Sequence, residues 1–212
     1  METEELKYFH YEYTIRELEN WFMEIINSYR RWADFQYEWQ GLKQQSIKQL
    51  VFPFPYREGQ KNLVTYVYQT IYHRKKLFIE APTGVGKTIS TAFPSIKAMG
   101  VGKGQRIFYL TAKTITRTVA NDTLELLRKQ MLRLKSVTLT AKDKICFIEE
   151  TECNPVDCPY AKGHFDRIND AIYDLLIHED NFSREKIEEY AARHKVCPFE
   201  MSLDMSLFAD MI

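Results

Sequence analysis

"LFIEAPTGVGKTIS", residues 77–90, decides how the rest of the chain is read. An apolar run, Leu77-Phe78-Ile79, meets an acid and breaks into a short glycine-containing loop. The loop ends in Lys87-Thr88, where a helical pattern begins. Strand, loop, Lys-Thr and helix, in that order, is the layout of a phosphate-binding loop. Successive backbone N–H groups must converge on phosphate oxygens, so glycine is needed where a side chain would block the approach or φ must be positive. The following helix adds its free N–H groups and the positive end of its dipole. In such a loop Pro82, Thr83, Gly84, Val85 and Gly86 wrap the phosphates. Lys87 reaches the β- and γ-phosphates, and the Thr88 hydroxyl completes a Mg²⁺ shell. The string A-P-T-G-V-G-K-T departs from G-x-x-x-x-G-K-[ST] at one place, Ala81.

Outward from the loop, strand and helix signals alternate. Residues 77–80 read as a strand and the segment from about 87 to 99 as a helix. RIFYL (106–110) reads as a second buried strand, about 114–131 as a helix, and SVTLT (136–140) as a third strand. Helices alternating with strands at this spacing predict a parallel α/β sheet. Before the loop, Leu63, Val64, Val67 and Ile71 mark a helix over about 60–73. The prolines of VFPFPYREGQ (51–60) make a seam in front of it. Residues 1–50 are polar-aromatic and helical in period, with Ile15, Leu18, Phe22, Ile25, Tyr29 and Trp32 spaced three and four apart. Thr14 and Glu17 fit a capping box. That stripe is expected to pack on a neighbour and carries no chemistry.

Lys plus Arg equals Asp plus Glu, 29 each, so bulk charge neither demands nor forbids a polyanionic partner. Any such site must be a local basic surface. The acidic start METEELKYFH has no apolar core, which argues against a signal peptide. No apolar run approaches the roughly 18 residues that span a bilayer. A cytoplasmic protein without a membrane partner is expected.

All four cysteines, Cys146, Cys153, Cys158 and Cys197, lie in one stretch. In a cytoplasmic chain such clustering points to metal rather than disulfides. Residues 142–198 hold them together with helices expected over about 164–178 and 183–194 and no strand, the pattern of a small inserted domain. His164 and His194 are read there as solvated helix residues. Structural zinc sites usually use close pairs such as C-x2-C, and none exists here.

The Ala-Pro-Thr-Gly-x-Gly-Lys-Thr loop resembles that of superfamily-two helicases, and two further matches narrow the likeness to the XPD/DinG branch. YREGQ, with Arg57 and Gln60, resembles that branch's adenine-reading Q-motif. IFYLTAKTITRTV (107–119) resembles its motif Ia, in which Thr111, Lys113, Thr114 and Arg117 would meet DNA phosphates without reading sequence. The spacing C-x6-C-x4-C-x38-C, placed after the third strand, is similar to the four-cysteine [4Fe–4S] domain those helicases carry there. Cys158-Pro159 and Cys197-Pro198 match a habit of ferredoxin clusters. Zinc at the same four thiols stays the alternative.

The resemblance covers roughly residues 51–212. It implies a first RecA-like, ATP- and Mg²⁺-binding domain over 51–141, an iron–sulfur domain over 142–198 and a return to the RecA-like fold over 199–212. The implied activity is ATP-driven 5′–3′ unwinding of single-stranded or forked DNA. Residues 1–50 are similar to the tail of a nuclease-like domain that precedes some bacterial relatives. They lack a carboxylate–lysine constellation, so no nuclease activity is expected. The Walker B Asp-Glu of the family's DEAH box is not met before Ile212; Asp204 and Asp210 suit helix or strand-lead roles instead. With the second RecA-like domain and its arginine finger also outside the sequence, these 212 residues are expected to bind ATP weakly without sustained hydrolysis. Two other classes stay open: a nucleic-acid-binding module with a structural zinc site and a vestigial loop, and a P-loop kinase or transferase.

Overall fold

Helix-forming segments dominate the chain, and a narrow parallel sheet ties them together. The structure, a computed structural model, describes residues 6–82, 84–112, 114–148 and 152–212. It divides into two units, residues 1–39 and 40–212.

The first unit holds most of the long helix α1 (Ile15–Gln49). Its start is the expected capping box. Glu17 N donates to Thr14 Oγ1 at 3.3 Å, and Thr14 N donates to Glu17 Oε2 at 2.7 Å. Two orphan donors are satisfied reciprocally. The apolar stripe differs from expectation: Ile15, Leu18, Phe22, Ile25 and Tyr29 are all exposed. Among the described residues of its own unit α1 meets no second helix or strand that could cover them.

The second unit carries the last turns of α1 and then α2 (Gln60–Tyr72), α3 (Lys87–Gly100), α4 (Thr114–Arg128), β1 (Ser136–Val137), α5 (Lys142–Ile145), α6 (His164–His178), β2 (Asn181–Phe182), α7 (Arg184–His194) and α8 (Pro198–Met205). Residues 210–212 lie between two neighbours. Ile107 N donates to Asp210 O and Tyr109 N to Ile212 O, both at 2.8 Å. On the other side Met211 N donates to Lys135 O at 3.1 Å and Val137 N to Met211 O at 3.0 Å. β1 then pairs in parallel with β2, Ser136 opposite Asn181 and Val137 opposite Phe182. The spatial order is therefore 107–109, 210–212, β1, β2, all parallel.

Three local expectations change. Residues 77–80 form no strand and join no ladder among the described residues, and Phe78 is 93% exposed. RIFYL is not buried throughout: Ile107 and Tyr109 turn toward the core, whereas Phe108 and Leu110 are exposed. Alternation is what a strand with one covered face must show. Third, the cysteine-bearing stretch does contain a strand, β2, whose two residues are too few for a period to be visible in sequence. Asp204 lies in α8 and Asp210 leads the segment 210–212, as read from the sequence.

The core joins Ile47 and Leu50 at the end of α1 to Ile96 and Met99 of α3, Leu124 and Leu127 of α4, and Met211. Lys97 secures that junction. Its ammonium donates to Ile47 O (2.9 Å), Lys48 O (3.2 Å) and Leu50 O (3.1 Å). Carbonyls at a helix end have no partner within the helix, so the charge satisfies what the fold would otherwise bury unpaired. Burial pushes the Lys97 pKa down.

Among the described residues no helix is long and apolar enough to cross a membrane.

Gly100 stands where α3 approaches α1 most closely: a Cβ there would fall 2.4 Å from Ile47 Cγ2. Glycine to alanine inside a helix ordinarily stabilises, but here the methyl overpacks a fixed β-branched side chain. Gly100→Ala should therefore lower unfolding stability by about 1–3 kcal/mol in chemical denaturation. A gain in stability would contradict the packing described.

Candidate nucleotide-binding site

Two glycines shape the phosphate loop. Gly84 has φ of 86° and Gly86 φ of 74°, both in the left-handed region that a Cβ disfavours. Gly86 is also the N-cap of α3 and offers no side chain to its first turn. The first helical bond runs from Ser90 N to Gly86 O, so the N–H groups just ahead of it have no intrahelical acceptor. Lys87 is exposed, and its ammonium makes no hydrogen bond or ion pair among the described residues. Half-buried Thr88 has its Oγ1 3.5 Å from the Tyr109 hydroxyl, which brings the strand-like segment 107–109 to the head of α3. Pro82, Val85 and both glycines surround this point; Thr83 lies outside the described residues.

Behind the loop stand Arg57 and Gln60. Gln60 opens α2 and is 3% exposed. Its Oε1 accepts from Arg57 N at 3.0 Å, and its Nε2 donates to Val85 O at 2.9 Å. Arg57 Nη1 donates to Gly84 O. A Cβ on Gly86 would fall 2.8 Å from Gln60 Nε2, a second reason for glycine at that position. Both side chains are thus engaged with the loop's own backbone carbonyls.

On the loop's flank is a cavity of about 430 Å³, lined by Glu58, Asn62, Leu63 and Tyr66 on one wall and by Ile79, Glu80, Ala81, Pro82 and Val85 on the other. Sequence reading passed over Asn62 and Tyr66, because an amide and a ring four residues apart on a helix look like ordinary surface.

Thr111 and Arg117 meet at a second cavity, about 340 Å³, where 107–109, 210–212 and β1 end against α4. Asn121 and Thr138 line it too, their side chains bonded at 3.2 Å. Neither was singled out in the sequence. Lys113 and the side chain of Thr114 lie outside the described residues.

The cysteines are free thiols: Cys158 is buried, Cys146 and Cys197 half-buried, Cys153 exposed. Burial pushes the Cys197 thiol pKa up. The Lys142 ammonium is held above its ordinary pKa, mainly by hydrogen bonding to Cys153. Even so, among the described residues no three of His, Cys, Asp and Glu stand close enough together to hold a metal ion. The histidines differ from expectation. His164 is 5% exposed; its Nδ1 accepts from Cys197 N at 3.2 Å, and burial lowers its pKa. His194 Nε2 lies 2.8 Å from Asp174 Oδ2. His164 is thus a buried partner of the start of α8, whereas His194 is half-buried and ties α7 to α6.

Comparison with known proteins gives one short match. Over 46 residues, 21% of this chain, the sequence is 44% identical to a protein of Methanocaldococcus jannaschii named "Probable ATP-dependent helicase". The match spans 7% of that relative's length. No family profile matches the chain, and no solved structure does. The similarity is to a helicase and reaches no further than that.

Gln60→Ala removes one donor and one acceptor and strands Arg57 N–H and Val85 C=O. Stability should fall by about 1–3 kcal/mol. Amide hydrogen exchange at residues 84–88 should quicken relative to the core helices; unchanged protection there would show that the loop holds its shape without the amide.

Proposed function

We propose that this chain forms the nucleotide-binding part of an ATP-dependent DNA helicase of the XPD/DinG type, built on a RecA-like parallel sheet. The observation that carries the reading is the pair of left-handed glycines, Gly84 and Gly86, ahead of a helix without a side-chain cap whose first residue is an exposed lysine with no ion pair among the described residues. Three donor types converge there: backbone N–H groups, the helix dipole and the Lys87 ammonium. The similarity to an ATP-dependent helicase supports ATP as the occupant.

In this reading Lys87 neutralises the β- and γ-phosphates and Thr88 Oγ1 ligates Mg²⁺. Pro82, Thr83, Gly84, Val85 and Gly86 wrap the phosphate chain, while Arg57 and Gln60, placed behind the loop, read the adenine. Hydrolysis further requires a carboxylate that orients water and an arginine finger. Neither is assigned within these residues. Thr111, Lys113, Thr114 and Arg117 contact the backbone of single-stranded or forked DNA, and a second RecA-like domain completes the motor.

The domain borders proposed are 51–141 and 199–212 for the RecA-like part, 142–198 for the cysteine domain and 1–50 for the N-terminal helix. Cys146, Cys153, Cys158 and Cys197 hold a [4Fe–4S] cluster in the intact protein. Four thiols without a close pair suit that group better than zinc, though the thiols stand too far apart here to ligate without moving. When bound, the cluster would tie the ends of α5 and α8 to the segment that joins α5 to α6 and make a rigid guide for DNA.

Lys87→Ala should weaken MgATP binding by about tenfold or more in calorimetric titration, since the phosphates lose a charged donor. Unchanged affinity would remove the loop from the site.

The cluster makes a separate claim. Anaerobically purified protein should be brown, with absorption near about 400 nm that Cys153→Ser bleaches. Colourless protein with stoichiometric zinc would replace the cluster with a zinc site.

A further inference from the structure

Charge is unevenly spread along a chain whose total is zero. Residues 59–121 hold ten lysines and arginines but one acid, Glu80. Lys87, Lys113 and Arg117 belong to the phosphate loop and the proposed strand contacts, and Lys97 caps α1. Of the others, Arg74, Lys75, Lys76 and Lys103 gather with Lys48 where α1, α2 and α3 end. Val101, just past α3, shares a cavity wall with Lys48 in the last turn of α1. Lys103 lays its ammonium 4.1 Å from the centre of the Tyr72 ring, at the end of α2. Arg74, Lys75 and Lys76 come directly after that turn and are exposed. α3 starts at the phosphate loop and runs for 14 residues, so its end lies about 20 Å from the loop.

Cations at a helix C-terminus ordinarily answer its dipole, about half a negative charge per end. Three ends amount to about −1.5 charges, which these five cations exceed about threefold. α7 shows the ordinary case. It closes on Lys195 with φ of 54°, and its last-turn cations are paired. Arg193 lies 3.1 Å from Asp174 and 3.0 Å from Glu189, and His194 lies 2.8 Å from Asp174. Among the described residues no carboxylate stands within ion-pair distance of Lys48, Arg74, Lys75, Lys76 or Lys103. Arg74 also strains the backbone. α2 and α3 end in the same kind of turn: Lys75 N donates to Thr70 O at 2.8 Å, and Lys103 N to Ala98 O at 3.0 Å. The left-handed residue is Gly102 after α3, with φ of 73°, but Arg74 after α2, with φ of 55°. Glycine is the relaxed choice at that position.

An unpaired positive surface fits a polyanion, and a neighbouring ring chooses among polyanions. Phe78, two residues past Lys76 in a segment without helix or strand, is 93% exposed. A single nucleic-acid strand offers phosphates to the cations and a base to the ring, whereas an acidic peptide offers charges alone. We propose that the joint end of α1, α2 and α3 is a surface for single-stranded nucleic acid. Lys48, Arg74, Lys75, Lys76 and Lys103 meet its phosphates, and Phe78 stacks on a base. This surface is separate from the contacts at 111–117, which lie on the loop side of the sheet, since Tyr109 already reaches Thr88. It does not depend on ATP at the phosphate loop. A strand long enough to engage both surfaces is held more tightly than by either alone.

Fluorescence anisotropy of the full chain with labelled oligothymidylate, over a series of salt concentrations without nucleotide, tests the surface. The substituted side chains are exposed, and chemical denaturation checks that each variant is folded. Lys75→Gln combined with Lys76→Gln should weaken binding about tenfold. The slope of log K against log salt should flatten by about 1.4, two phosphate contacts at about 0.7 each. Phe78→Ala should weaken binding about tenfold with the slope unchanged. Arg74→Gly should weaken binding yet raise the denaturation midpoint, because a charge is lost where the backbone relaxes. Affinity and slope untouched in the lysine pair, with binding lost in Arg117→Gln, would overturn this surface and leave the contacts at 111–117 standing. Polyglutamate that displaces the oligonucleotide at equal charge would replace nucleic acid with an acidic protein. An unaltered chain that binds no oligonucleotide would overturn both surfaces.

Discussion

The Asp210 carboxylate ties the sheet to the end of α1. Asp210 Oδ1 accepts from Lys43 Nζ at 2.6 Å, and its Oδ2 accepts from Lys135 N at 3.0 Å. Its backbone enters the ladder on both sides: Asp210 O accepts from Ile107 N, and Asp210 N donates to Lys135 O at 2.9 Å. The end of α1, the middle segment of the sheet and the lead-in to β1 thus meet at one buried group. Desolvating such a pair is expensive, and removing either partner typically costs about 3–5 kcal/mol. What the pair supplies is register: with Asp210 placed, Met211 must sit opposite Ser136 and Ile107. Lys135 extends the arrangement. Buried to 2% exposure, it donates to Glu179 O at 2.8 Å and Asp180 Oδ1 at 3.2 Å, and so brings β2 alongside β1. Burial pushes its pKa down, and Asp180 opposes that shift.

Register at the sheet places the loop. Tyr109 projects from the segment that Asp210 fixes and reaches Thr88 at the head of α3. From the other side Gln60 braces Val85. The loop is held between these contacts with Gly84 and Gly86 in left-handed conformations. A loop free to relax would satisfy its own N–H groups; a braced one keeps them for a ligand, which is preorganisation in physical terms.

Legibility in sequence followed the range of the interaction. The loop ahead of α3 was readable in its backbone because its requirements are local: glycine where φ is positive, and lysine then threonine at a helix start. Helices α2, α3, α6 and α7 were readable to within a residue or two because each carries several turns of periodic side chains. β2, two residues long, carries no period at all. His164 was misjudged because its polar neighbours in sequence hide that α6 and α8 close over it. Asn62 and Tyr66 could be noticed only once Pro82 and Val85 were seen to face them.

Sequence by itself determined the chemistry on offer. It supplied a loop of the phosphate-binding pattern, four grouped thiols, and a resemblance to helicases with which a short match to one such protein agrees. Tertiary structure alone decided how those groups are used. It turned Gln60 and Arg57 onto the loop's carbonyls, left 77–80 outside the ladder, set His164 against Cys197 and opened a cavity between α2 and the loop. The reason is the same each time. A motif's residue types depend on neighbours a few positions away, but a side chain's partner depends on which distant segment the core brings beside it.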